Sequence, residues 1–142
     1  MTLLWTLILL SPAGLDLADV RSEANPERRA ELALDNANTA IDHARAYAKL
    51  GEYDKLHAAG IEVQQSVELC QESLEAAGKD PRKNVRQFKK VEMRIHHLNR
   101  RLKGFADEVS IEDKPAVEKA ANRLDEINDE IVGDMFGKKK KK

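Results

Sequence analysis

Four histidines, one cysteine and a dense run of arginine and lysine are the residues of this 142-residue chain with the capacity for chemistry. The histidines are His43, His57, His96 and His97. Asp54-x-x-His57 and Glu92-x-x-x-His96 each place two ligand-type side chains on one face of a helix. Di-iron bundles use Glu-x-x-His from two helices with further inward glutamates. This chain has no Glu-x-x-His, and no carboxylate recurs among its regularly spaced apolar positions. The expectation is solvated histidines with no metal and no cofactor. Cys70 lies between Glu68 and Glu72, with no cation or histidine one turn away. Neighbouring carboxylates disfavour a thiolate, so Cys70 is read as a small buried apolar residue and not as a nucleophile. A lone cysteine also forms no disulfide within the chain. Gly-rich phosphate loops, Gly-x-Ser-x-Gly and Cys-x-x-Cys are absent from the sequence. No residue is assigned a catalytic role, and an enzyme is not expected.

The cations offer a different chemistry. Arg82, Lys83, Arg86, Lys89, Lys90, Arg94, Arg100, Arg101 and Lys103 crowd the stretch 80–109, against four acids there. A cationic stripe of this kind binds phosphates by releasing counterions, which makes these nine residues a possible anion-binding surface. No aromatic side chain is interleaved on the outer face to stack bases. The stretches 52–79 and 112–134 on either side are acidic, and the chain as a whole carries a formal charge of −1. The simpler expectation is that the basic helix satisfies its charges against acidic helices of the same fold.

The elements that must hold these residues are legible in the apolar pattern. Phe88, Val91, Ile95, Leu98, Leu102, Phe105 and Val109 recur in alternating steps of three and four. That alternation puts all seven on one seam of a helix, opened by Asp80-Pro81 and about 45 Å long over some thirty residues. Ala30, Leu34, Ala37, Ile41, Ala44 and Ala48 form a second seam, started by Asn25-Pro26-Glu27 and ended at Leu50-Gly51. Leu56, Gly60, Val63, Val67, Cys70, Leu74 and Ala77 form a third, stopped at Gly78. Gly60 in its midst costs roughly 1 kcal/mol of helix propensity against Ala, a residue suited to a close backbone approach. Val117, Ala120, Leu124, Ile127 and Ile131 form a fourth, with its start near Asp113 and its end near Gly133. The composition agrees: charged residues are 35%, aromatics 4%, and there are only 7 Gly and 4 Pro, which suits long solvated helices and not a sheet. The fold expected is all-α, an antiparallel four-helix bundle with coiled-coil-like seams. The nearest alternative is three long helices with a loosely docked first one.

Ala48-Lys49-Leu50-Gly51-Glu52-Tyr53-Asp54-Lys55-Leu56 resembles the turn between the two helices of a tetratricopeptide repeat, with its Gly-x-Tyr signature. The resemblance covers about nine residues. Leu56 stands where that family has a small residue, the following helix runs on to Ala77, and no 34-residue period recurs. What the resemblance implies is a shared way of turning between antiparallel helices, not membership of the family.

The ends bear on location. Residues 1–10 include an apolar run too short to span a bilayer, and Ser11-x-Ala13 fits a small-x-small cleavage site. Residues 1–13 are therefore read as a signal peptide or N-terminal apolar segment, although the run has no basic residue before it. Residues 14–24 read as a linker, 25–134 as the bundle and 135–142 as a basic disordered tail ending in five lysines. The function expected is that of an exported (periplasmic or secreted) non-enzymatic bundle acting through protein contacts, with a protein partner or self-association. The alternatives are a nucleic-acid or polyanion-binding module using 80–109 and the Lys tail, and a membrane-surface protein touching lipid through residues 1–10 and that tail. Those alternatives carry a cytoplasmic or membrane-associated location.

Overall fold

The structure is a computed structural model that describes residues 16–137. The signal-peptide reading of 1–13 and the Lys138–Lys142 tail lie outside the described residues. Within them the protein is all-helical: α1 (Leu17–Arg21), α2 (Pro26–Leu50), α3 (Tyr53–Ala77), α4 (Val85–Glu108) and α5 (Lys114–Met135). No described helix is long and apolar enough to cross a membrane.

Local chemistry sets both boundaries of α2. Asn25 accepts hydrogen bonds from the N–H groups of Glu27 and Arg28, and Pro26 occupies the first turn of α2. Gly51 closes α2 at φ 69°, where its N–H reaches the Ala48 carbonyl and the Glu52 N–H reaches that of Tyr47. Only a residue without a Cβ takes this left-handed conformation without strain.

Three boundaries differ from the sequence expectation. The stretch Asp80–Asn84 is a turn, with Arg82 N–H donating to the Asp80 carboxylate, and α4 begins at Val85. Asp80-Pro81 thus closes a connection instead of capping a helix. Of the expected linker 14–24, the described residues 16–24 hold a short helix. Asp16 and Asp19 exchange a reciprocal capping box around α1, and Val20 is wholly buried. Five residues are too few to show a helical period, so burial of one side chain decides this element. At the other end, α5 runs two residues past Gly133 because Met135 continues the seam and is buried at 4% exposure.

The four long helices bury the four seams. Leu34, Ile41, Leu56, Val63, Val67, Ile95, Leu102, Leu124 and Ile127 are all 2% exposed or less. Each such side chain contributes about 1.5–3 kcal/mol by leaving water. The helices form two antiparallel hairpins, α2–α3 and α4–α5. Asn36 meets Ser66 and Arg29 meets Ser73 in the first, so partner numbers fall as the chain rises. Asn99 meets Asp125 in the second. Between hairpins the partner numbers rise together. Gln87 meets Glu27, Arg94 meets Asp35 and Arg101 meets Asp42, so α4 runs parallel to α2. His57 meets Asp113 and Glu68 meets Arg123, so α5 runs parallel to α3. The ring order is α2, α3, α5, α4, and the segment 78–84 crosses the bundle on its diagonal.

Candidate functional site

This arrangement sorts the nine cations singled out by their density. Arg94 pairs with Asp35 at 2.6 Å, and Arg101 pairs with Asp42 at 2.6 Å while also reaching the Asn38 side chain. Their partners lie on α2, not on the acidic stretches that flank 80–109 in sequence. The reason is topological: α3 lies across the diagonal, while α2 runs alongside in parallel. Lys89 turns to Glu92 on its own helix at 3.3 Å, and Lys103 turns to Asp125 of α5 at 3.4 Å. Arg82 sits in the turn before α4, with Nε 4.0 Å from the Asp80 carboxylate. Lys83, Arg86, Lys90 and Arg100 make no ion pair among the described residues. The nine therefore do not form one continuous surface.

Three of the four unpaired cations gather at one place. Lys83, Arg86 and Lys90 rim a cleft between the N-terminal halves of α2 and α4, of about 630 Å³. Ala30, Leu34, Leu74 and Val91 form its floor, and Val85, 43% exposed, lines it as well. Glu27 and Glu31 of α2 form the opposite wall. Glu27 is bound by Lys79 at 2.9 Å and by Gln87 at 3.2 Å. The Lys79 hydrogen bond holds its carboxyl below the ordinary glutamate value, against a smaller opposing effect of burial. Glu31 makes no ion pair among the described residues. The cleft thus has a basic wall, an acidic wall and an apolar floor. Further along the same face, Met93, 60% exposed, stands beside Asn38, Arg94 and His97.

A second cavity of about 380 Å³ opens under the crossing segment, between Leu74, Phe88, Ile131, Pro81, Arg82 and Gly137. Its floor is the core side chains Leu74, Phe88 and Ile131, and its rim carries Gln71, Glu75, Lys79, Asp80, Arg82 and Asp134. Gly137, at φ 75°, packs against the Arg82 stem, where an added Cβ would come within 3.2 Å of Arg82 Cδ.

The remaining candidates separate clearly. His43, His57, His96 and His97 are all exposed. His57 is the one His among the described residues near a carboxylate, 3.5 Å from Asp113, which is buried and also receives the Ser110 hydroxyl at 3.1 Å. No group of three or more ligand-type side chains converges among the described residues. Cys70 is fully buried, and burial pushes its thiol up to about 12, with Arg94 opposing weakly. The cleft itself could not be read from the sequence. Its basic side was visible as charge density, but its acidic wall and most of its floor come from α2 and α3, and only the parallel pairing of α2 with α4 sets them opposite that basic side. No family model matches the chain, and neither curated proteins nor solved structures gave a significant match.

Proposed function

We propose that this chain is an exported, non-enzymatic helical bundle that acts through protein contacts, with the α2–α4 cleft as its contact surface. The observation that carries the reading is the cleft's make-up: unpaired Lys83, Arg86 and Lys90 face unpaired Glu31 across an apolar floor. Apolar area supplies binding energy, and a rim of both signs supplies orientation and selects among partners. A polyanion fits this rim poorly. Arg94 and Arg101 are already occupied by Asp35 and Asp42, whose carboxylates repel phosphate. Three free cations would give a duplex-DNA salt slope of only about −3. Export rests on the apolar run and small-x-small site of residues 1–13.

The test is selection of peptides of about fifteen residues against the full chain, followed by titration against Val85→Asp and Lys90→Glu. Selected peptides should pair apolar residues with charge of both signs, and each substitution should weaken them at least tenfold. Failure to select a binder, or binders indifferent to both changes, overturns the reading. N-terminal sequencing of the native protein tests export, with a mature start near Gly14 expected.

A further inference from the structure

We infer that the occupant of the α2–α4 face is a second copy of this chain, related by a two-fold axis parallel to the helices. This rests on the reading of that face as a contact surface. The face is self-complementary in charge, and its two walls are level with each other. Gln87 meets Glu27 and Arg94 meets Asp35, so Glu31 lies at the height of Lys90 on the opposite wall. A two-fold parallel to the helices exchanges the walls and preserves the heights. It brings the α2 of one copy over the α4 of the other, with Glu31 facing Lys90 twice in the dimer. A two-fold that runs across the helices at the level of this cleft instead lays α4 on α4, and sets Lys83, Arg86 and Lys90 against their own like charges.

Shape and area agree with the same pairing. Met93 projects from α4 at 60% exposure, and the register brings it level with Leu34 on the cleft floor of the other copy. Val85, 43% exposed, is offered at the lower end of the same face. Two adjacent helices of 24 and 25 residues present a face about 37 Å long and about 20 Å wide. That is close to the roughly 800 Å² per partner buried in a standard specific interface. The short α1 packs on α2 and α3 and leaves the α2–α4 face open. Much of the face carries ion pairs already made within one copy, Arg94–Asp35 and Arg101–Asp42, so the dimer is of the reversible, salt-sensitive kind.

Sedimentation velocity of the full chain over a range of concentrations tests this. The expected result is a monomer–dimer equilibrium in the micromolar range that weakens as salt is raised. Glu31→Lys and Lys90→Glu should each weaken it at least tenfold, because each sets like charges together at two symmetric contacts. An equimolar mixture of the two variants should restore dimerisation as a heterodimer, since both contacts are then of opposite sign. Both positions are exposed, and unchanged thermal melts of the separate variants confirm that folding is intact. A chain monomeric at all concentrations, or a dimer indifferent to both exchanges, overturns the inference. A monomer that still binds selected peptides through Val85 and Lys90 sinks the dimer alone and leaves the contact surface standing.

Discussion

The two hairpins solve the same packing problem with different materials. In α2–α3 one partner is built from alanine: Ala30, Ala33, Ala37, Ala40 and Ala44 are buried along α2. Small side chains bring the helix axes close, and the polar groups caught between them are bonded. Asn36 donates to Ser66 at 2.9 Å and to Glu62 at 3.1 Å, and Ser66 donates to the Glu62 carbonyl at 2.7 Å. In α4–α5 the seam is bulky, with Phe88, Ile95, Leu98, Leu102 and Phe105 facing Leu124, Ile127 and Ile131. Polar groups are less well served there: Asn99 Oδ1 and Asn128 Oδ1 are buried with no hydrogen-bond partner, and Glu92 Oε2 has only the Lys89 ammonium. The first hairpin gains specificity from a bonded polar network, and the second gains its stability from volume. Each hairpin is therefore vulnerable at a different kind of residue.

The largest expected effect is at Cys70, inside the first hairpin. With its thiol pushed up from an ordinary value of 9.0 to about 12, its thiolate fraction at neutral pH is reduced about a thousandfold. Labelling by iodoacetamide should therefore be slower than in the denatured chain by that factor or more, and rapid modification under native conditions would show an open hairpin. The sign for stability follows. The folded group stays neutral while the unfolded thiol ionises, so the contribution is fully present below pH 9 and is lost as pH rises towards 12.

Ile95→Ala in the second hairpin should cost about 2–5 kcal/mol in denaturant unfolding, because the side chain is fully buried among large neighbours. A cost under 1 kcal/mol would mean that the bulky seam is loosely packed. Polar truncation sharpens the contrast. Ser66→Ala should cost about 1–3 kcal/mol, since it strips a buried partner from Asn36. Asn99→Leu should cost less than Ser66→Ala, since the lost Nδ2 donor to Asp125 is offset by removal of an acceptor that is already unpaired, and Asp125 keeps Lys103. Equal costs at the two sites would erase the distinction between the hairpins. The smallest expected effect is at Gly60, where an added Cβ meets the Ala116 carbonyl at 3.7 Å, ordinary contact. Gly60→Ala should stabilise α3 by up to about 1 kcal/mol through helix propensity, and a destabilised variant would reveal a tighter approach of α5.

The long helices are legible in the sequence and the short elements are not. A seam of six or seven apolar residues repeats often enough to override any single exception, which is why α2 and α3 match their expected bounds. Asp80-Pro81 misled because the same two residues suit a helix cap and a tight turn, and only the crossing of the diagonal requires the turn. Val20 gave no periodic signal, and Met135 lay beyond the glycine that resembled a stop. The candidate site was half legible. Charge density marked the basic stretch, but density does not say which cations are free. Arg94 and Lys90 look alike in sequence, and they differ only because Asp35 stands opposite one and an open cleft opposite the other.

The sequence alone determined that four long helices form and which stripe of each is hidden, because those properties depend on spacing within a single segment. The tertiary structure decided which helix lies beside which. Placing α4 parallel to α2 pairs some charges, strands others at one cleft, and turns two unremarkable surfaces into one face. Those are properties of through-space neighbours on different segments, and periodicity within one segment carries no information about them.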